Sequence, residues 1–218
     1  MNAQHAYDHL LRTAVMAGTR GQFPPSVALN LAEVFMDEGI SVFEFTMNSV
    51  QPIEAMQAVK KQYGDKAVVG MGTVMDTETA KRVLDAGADF VVSPAFQAEI
   101  VEIVMKHDVL MVPGVITPSE CVAAWGMGVK MLKLFPIGAL GVDYFKAIYG
   151  PLNHMQFICN GAMNAENGQQ LLQAGAVALG MAAWLTGDGT WTESRLRSRA
   201  HLIVNTVEAA RGGVTQNA

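Results

Sequence analysis

One lysine lies within an otherwise apolar segment of this 218-residue chain, MLKLFP, where it is residue 133. If the segment is a strand of a parallel sheet or barrel, both of its faces are covered, so Lys133 must find a carboxylate partner or lose its proton. Burial disfavours the charged ammonium, and a neutral amine is a nucleophile towards carbonyl carbon. Two interpretations follow from the spacing: a catalytic lysine, or a structural lysine held in an ion pair.

Glu44 interrupts a second apolar segment, VFEFTM, and is the natural partner of Lys133. A lone buried carboxylate is costly, whereas one beside a lysine is either half of an ion pair or an acid–base group that moves protons directly or through water. Thr73 follows Gly70 and Gly72 in GMGTV, where the backbone can approach a ligand closely; it is interpreted either as a ligand contact or as a satisfied barrel threonine. Three prolines each end an apolar segment and are expected to shape the mouth of a site: Pro94, Pro113 and Pro136.

Composition excludes several other classes of site and partner. The five histidines fall in the N-terminal segment, helices or loops, and His5 and His9 are interpreted as a solvated surface pair, so no metal site is expected. With 15 basic and 20 acidic side chains the net charge is −5, which predicts no nucleic acid and no anionic membrane as partner. The longest apolar stretch, 176–185, is too short to cross a bilayer, and the N-terminus does not resemble a secretory signal. Cys121 and Cys159 form no disulfide framework, which favours a reducing cytoplasm.

A regular alternation of elements must position the lysine and the glutamate. Amphipathic stretches end in glycine and are followed by short apolar strands, and six glycines occupy the expected left-handed helix ends: Gly39, Gly64, Gly87, Gly128, Gly150 and Gly175. Eight such units of about 27 residues predict a single-domain α/β fold, a (β/α)8 TIM barrel over residues 1–218. Residues 1–12 are expected to form an extra N-terminal helix that caps the barrel, and residues 211–218 a frayed tail. An open doubly wound sheet is the alternative, disfavoured because no GxGxxG follows the first strand.

Six segments, in order, resemble those of one family, the class I aldolases that cleave 2-keto-3-deoxy-6-phosphogluconate (KDPG) and 4-hydroxy-2-oxoglutarate (KHG). The resemblance runs from about residue 12 to residue 210. The segments are FEFTMNS at 43–49, VVGMGTV at 68–74, VVSPAF at 91–96, VPGVITPSE at 112–120, LKLFPIGALGVDYFKAIYGPL at 132–152 and NGAMNAEN at 160–167. The resemblance implies a TIM barrel, a homotrimer, and a reaction without metal or cofactor.

The resemblance also implies roles for individual residues. The Schiff-base lysine of the family falls on Lys133 and its acid–base glutamate on Glu44, and together they would release pyruvate and an aldehyde from a 2-keto acid. Arg20 is expected to clamp a carboxylate or a phosphate. The further expected substrate contacts are Thr73, Pro94, Phe135, Asn48, Asn160 and Gly161.

The chain departs from the family at three places. Asn48 occupies a position where many members carry an arginine for the substrate carboxylate, and a galactonate-type branch also has Asn-Ser there. Ala162 replaces a glycine, and the pair Ala182-Ala183 replaces Gly-Ser, in loops that ordinarily hold a phosphate. These changes suggest a weakened phosphate site and a substrate without phosphate, such as KHG. They also motivate an alternative, a non-catalytic barrel that binds a sugar acid or an anion; a phosphate-binding barrel isomerase would not need the buried lysine.

Overall fold

Nine short parallel strands form one continuous sheet that curls into a barrel, in a computed structural model that describes the backbone of residues 1–214 and the side chains of residues 1–212. The strands are β1 (Val15–Thr19), β2 (Val42–Thr46), β3 (Val68–Gly72), β4 (Phe90–Val92), β5 (Leu110–Val112), β6 (Gly114–Val115), β7 (Leu132–Leu134), β8 (Phe157–Asn160) and β9 (Ala178–Met181). Their order is β5-β4-β3-β2-β1-β9-β8-β7-β6.

The two edge strands of this order, β5 and β6, are consecutive in the chain and are separated only by Pro113. β5 pairs with β4, and β6 pairs with β7, so the interrupted strand closes the cylinder. The nine segments therefore occupy the eight strand positions that the sequence predicts, and the TIM-barrel fold is confirmed. Proline lacks the N–H that a continuous ladder would need at this position.

Helices connect successive strands and cover the outside of the barrel. They are α1 (Ala3–Thr13), α2 (Pro25–Asp37), α3 (Pro52–Tyr63), α4 (Thr77–Asp85), α5 (Ala98–Lys106), α6 (Pro118–Gly126), α7 (Ile137–Leu140), α8 (Val142–Tyr149), α9 (Ala165–Gln173), α10 (Ala183–Thr186) and α11 (Glu193–Val214). Proline at the first turn starts α2, α3 and α6, because its missing N–H would have no partner there. Five of the six glycines expected at helix ends have positive φ; the exception is Gly150, which is right-handed at φ −47°.

Helix α1 lies at the amino-terminal end of the barrel, where it contacts β1, β2, β3, β5 and β9. Its residue His9 is 7% exposed and hydrogen-bonds Ser41 at the start of β2, so the expected solvated histidine pair is wrong for His9. The extra N-terminal helix is confirmed. The structure describes no helix long and apolar enough to cross a membrane.

Residues 211–214 of the tail that the sequence predicts belong to the last turn of α11, and residues 215–218 lie outside the described part of the chain. Arg211 donates a hydrogen bond of 2.8 Å to the carbonyl oxygen of Arg12, which ties α11 to the end of α1. Cys121 and Cys159 are both free and buried.

Candidate active site

Lys133 and Glu44 meet inside the barrel from β7 and β2. Lys133 is 5% exposed and Glu44 is 3% exposed, and 3.9 Å separates Nζ of the lysine from Oε1 of the glutamate. That distance is an ion-pair contact and too long for a hydrogen bond. Nζ also lies 5.0 Å from the centre of the Phe135 ring, whose face attracts a cation. The structure thus brings together the two residues that the sequence singled out for chemistry.

Two glycines make room for the Glu44 carboxylate. A Cβ on Gly72 would lie 2.0 Å from Oε1, and one on Gly18 would lie 3.1 Å from Oε2. Gly70 is the register partner of Glu44 on β3. Despite this enclosure, Oε1 has no hydrogen-bond partner among the described residues. A buried carboxylate oxygen without a partner is costly, and such atoms in a native fold call for a functional explanation.

A second buried carboxylate, at the other end of the strands, shows what a satisfied ion pair looks like in this chain. Asp89, just before β4, is 1% exposed; its Oδ1 lies 2.5 Å from Nζ of Lys60 and its Oδ2 accepts a 3.0 Å hydrogen bond from the Val69 N–H. Lys60 also donates to the carbonyl oxygen of Gly87. This pair is structural, whereas the Lys133–Glu44 pair has unused hydrogen-bonding capacity. The contrast argues against the structural interpretation of Lys133.

The loops after β1, β2 and β3 carry three of the other expected contacts. Arg20 and Asn48 are exposed, and Thr73 is half-buried with φ +60°, a strained conformation for a β-branched residue. Within residues 1–212, no hydrogen bond or ion pair joins any of the three to Lys133 or Glu44. The structure places them around the carboxyl-terminal end of the barrel without bringing them into the buried pair.

A network of hydroxyl groups ties these loops together, and sequence reasoning did not identify it. Ser49 Oγ donates to the Thr19 carbonyl at 3.2 Å, accepts from the Gly21 N–H at 3.1 Å, and lies 3.0 Å from Thr46 Oγ1. Thr46 also donates to the Thr19 carbonyl at 2.8 Å. The network therefore holds the backbone on both sides of Arg20 against the end of the strand that carries Glu44. Short hydroxyl side chains in loops give no periodic signal, which is why the sequence did not reveal it.

The remaining expected contacts each pack against a neighbouring segment. A Cβ on Gly161 would lie 2.9 Å from the Phe135 ring, so the ring packs directly on that glycine. Asn160 fills the space above its register partner Gly180, where a Cβ would lie 2.3 Å from Nδ2. The backbone carbonyl of Pro94 lies over Gly114 on β6, where a Cβ would lie 2.3 Å from it.

A parallel barrel with a lysine and a carboxylate buried together between β7 and β2 has the arrangement of an enzyme that works through a lysine amine. The family model for the KDPG and KHG aldolases matches residues 24–197. The chain belongs to this family, and it is a carbon–carbon lyase. No group of three or more metal-ligating side chains occurs in the described residues.

Three individual proteins show the extent of the similarity. The 2-dehydro-3-deoxy-6-phosphogalactonate aldolase of Escherichia coli K12 is 28% identical over 180 residues, 82% of this chain and 88% of that protein. A KDPG aldolase structure from Legionella pneumophila, with pyruvate captured at low pH as a covalent carbinolamine intermediate, is 27% identical with a TM-score of 0.76, and the match covers 93% of this chain and 97% of that one. A chain of a cube-shaped protein cage designed by fusing symmetric oligomeric domains is 27% identical with a TM-score of 0.88, over 94% of this chain and 76% of that one.

Proposed function

We propose that this chain is a class I aldolase that cleaves a 2-keto-3-deoxy sugar acid, with or without a phosphate, or KHG, to pyruvate and an aldehyde. Lys133 forms the Schiff base, and Glu44 carries the protons. The observation that supports these roles best is the Glu44 oxygen Oε1, buried without a hydrogen bond 3.9 Å from Lys133 Nζ. An oxygen in that state accepts a proton from a substrate hydroxyl or from one bound water without first breaking an existing contact.

The reaction follows from the positions of these two groups. The neutral amine of Lys133 attacks the C2 ketone; the carbinolamine takes up a proton, loses water and gives an iminium that draws electrons from the substrate. Glu44 removes the proton from the C4 hydroxyl, directly or through a water, and the C3–C4 bond breaks to release the aldehyde. The bonding electrons form an enamine, which is protonated at C3 and hydrolysed to pyruvate and free Lys133. The covalent pyruvate adduct of the Legionella relative supports the first step for this chain.

The other residues at this end of the barrel are proposed substrate contacts. Phe135 and Pro94 bound the chamber around the Schiff base, and Thr73 offers a hydroxyl at the end of β3. Arg20 attracts the anionic substrate to the mouth. The contacts further out are Asn48, Asn160 and Gly161.

We also place the protein in the cytoplasm as a homotrimer. The two buried thiols, Cys121 and Cys159, suit a reducing compartment. The similarity to a cage chain built by fusing symmetric oligomeric domains supports an oligomer. Light scattering coupled to size-exclusion chromatography will report the mass; a monomer would contradict the trimer.

Reduction with borohydride in the presence of pyruvate tests the central claim. We expect one pyruvate-derived adduct, located on Lys133 by peptide mass spectrometry, and no adduct in Lys133→Met. Lys130→Met is the matched control, because Lys130 lies just before the same strand but at its amino-terminal end, and it should keep the adduct. An adduct on another lysine would refute the assignment. A ligand that raises the melting temperature while no pyruvate is released would favour the non-catalytic binding barrel instead.

A further inference from the structure

Carboxylates surround the carboxyl-terminal end of the barrel. Seven helices have an acidic residue in their first turn, five of them directly after a strand and two, α8 and α11, after a short helix: Glu54, Glu78, Glu99, Glu120, Asp143, Glu166 and Glu193. We call these seven residues the acidic rim. In the segments that join the described strands to the following helices, the only lysine or arginine is Arg20.

The acidic rim changes what the helix N-termini can bind. A helix N-terminus holds a phosphate through its free N–H groups and its partial positive charge. In α9, Asn164 and Asn167 cap each other's N–H groups at 2.9 and 2.8 Å, and Glu166 supplies a negative charge. In α11, Glu193 stands in the first turn, 3.0 Å from Arg197. At α9 the chain's own side chains therefore already occupy two backbone N–H groups that would otherwise be free to attract a phosphate dianion.

The position of Glu44 shows where the far end of a substrate must lie. With C2 on Lys133 and the C4 hydroxyl at Glu44, the carbons beyond C4 lie near the neighbours of the Glu44 carboxylate, which are Gly18 and, next to it, Ala182. Ala182 precedes the four-residue α10 without any side-chain cap, and Ala183 is exposed. These side chains offer methyl groups there and no hydroxyl.

A neutral polar group is available close by. The Asn160 side chain lies over Gly180, two residues before Ala182, and has no hydrogen bond within the described residues. A carboxamide both donates to and accepts from hydroxyl groups, so it suits the polyhydroxy tail of a sugar acid. It carries no charge to offset a phosphate.

We infer that the preferred substrate is a 2-keto-3-deoxy sugar acid that carries a single negative charge, its C1 carboxylate, and no phosphate. This inference rests on the proposed function. Arg20 is the one basic side chain in the described strand-to-helix segments, and it can pair with that single carboxylate. A phosphate ester adds a further charge of about −1.5 to −2 that faces the acidic rim. KHG is a dicarboxylate, so its negative charge lies between that of the free sugar acid and that of the phosphate ester.

A panel of substrates tests the inference: 2-keto-3-deoxygluconate and its galactonate epimer, their 6-phosphates, and KHG, each in a coupled pyruvate assay. We expect kcat/KM for at least one free sugar acid to exceed that of its own 6-phosphate by about tenfold and to exceed that of KHG. A preference for the phosphate ester or for KHG would overturn the inference, as would a pyruvate adduct on Lys133 without cleavage of either free acid. Failure to form the adduct would instead overturn the proposed function.

Two further measurements test the physical cause. Glu166→Gln should raise kcat/KM for the phosphate ester by about two- to fivefold and leave the free acid unchanged. Glu99→Gln, on the opposite side of the barrel, is the control and should change neither. Higher ionic strength should reduce the difference in kcat/KM between the phosphate ester and the free acid, because salt screens the repulsion between the phosphate and the acidic rim. If neither salt nor Glu166→Gln changes the difference in kcat/KM between ester and free acid, the electrostatic explanation is overturned.

Discussion

Gly72 leaves the space that the Glu44 carboxylate occupies: a Cβ at residue 72 would lie 2.0 Å from Oε1 of Glu44. Gly72 on β3 and Glu44 on β2 therefore depend on each other, because the Glu44 side chain fills the volume that a side chain at residue 72 would occupy. Gly72 is in extended backbone and is not needed for a left-handed turn. Its requirement is for volume alone.

The first prediction follows from that contact. Gly72→Ala should push the Glu44 carboxylate out of position and lower kcat by about 10- to 1,000-fold, because proton transfer needs hydrogen-bond geometry. Gly126→Ala is the control, since nothing lies within 4 Å of a Cβ there and the backbone is helical. Steady-state assays and thermal melts on both variants separate misplacement from misfolding. A Gly72→Ala enzyme with full activity would show that the carboxylate position is unimportant.

The second prediction concerns Glu44 itself. Glu44→Gln should reduce turnover by about 10²- to 10⁴-fold, the usual contribution of a general acid–base group. It should not lower the melting temperature, because a neutral amide of the same shape replaces a buried carboxylate oxygen that has no hydrogen bond. Turnover and thermal melts on one preparation give both values. Loss of stability together with activity would mean that Glu44 is mainly structural.

The third prediction contrasts the two buried lysine pairs. Lys60→Met should destabilise the fold by about 2–3 kcal/mol, below the value for a fully buried pair because the Lys60 side chain is one-third exposed, and should leave Asp89 without its counter-ion. Activity per folded molecule should stay close to that of the parent. Lys133→Met should abolish activity with a smaller loss of stability, because its 3.9 Å contact with Glu44 is too long for a hydrogen bond. Urea titrations alongside assays will show whether stability and catalysis separate in this way.

The fourth prediction is a pH dependence of stability through His9. Arg12 donates a 2.9 Å hydrogen bond to Nδ1, so the folded state requires the neutral ring. Burial, followed by the charges of Arg12 and His5, lowers the pKa of His9 below its ordinary value of 6.5. The unfolded chain therefore binds the proton more readily, and the contribution of His9 to stability is present above about pH 6.5 and is lost as the pH falls below it.

Urea unfolding at pH 7.5 and pH 5.5 measures this effect. The parent protein should lose more stability between the two values than His9→Gln does, because only the parent must protonate a buried ring. His107→Gln, an exposed histidine on the outer surface, should behave like the parent. If the parent and His9→Gln lose the same free energy of unfolding between pH 7.5 and pH 5.5, protonation of His9 is not the cause of the pH dependence.

Much of the fold and the central pair could be predicted from the sequence because their signals are local. The alternation of glycine-ended helices with apolar strands is visible in the sequence, and so is the rarity of charged residues such as Lys133 and Glu44 inside those strands. The environment of His9 was predicted wrongly, since the spacing of His5 and His9 does not show that α1 turns one of them towards the barrel.

Other features depend on contacts between distant segments. The role of Gly72 was not predictable in this form: a glycine beside a site suggests backbone approach to a ligand, while here it accommodates a side chain from the next strand. The hydroxyl network around Ser49 joins residues 30 positions apart and has no local signature. The acidic rim becomes apparent only when seven separate helix starts are brought to the same end of the barrel.

Helix α1 contacts five strands of the barrel, β1, β2, β3, β5 and β9, and covers its amino-terminal end. Reactants and products of the proposed reaction then enter and leave through the carboxyl-terminal end of the barrel. Pyruvate lies deepest, because it is bonded to Lys133. Cleavage releases the aldehyde first, and in the reverse direction pyruvate must load before the aldehyde arrives. Because α1 covers the amino-terminal end, reactants and products must pass the carboxyl-terminal end, and the bond between pyruvate and Lys133 fixes the order in which they do so.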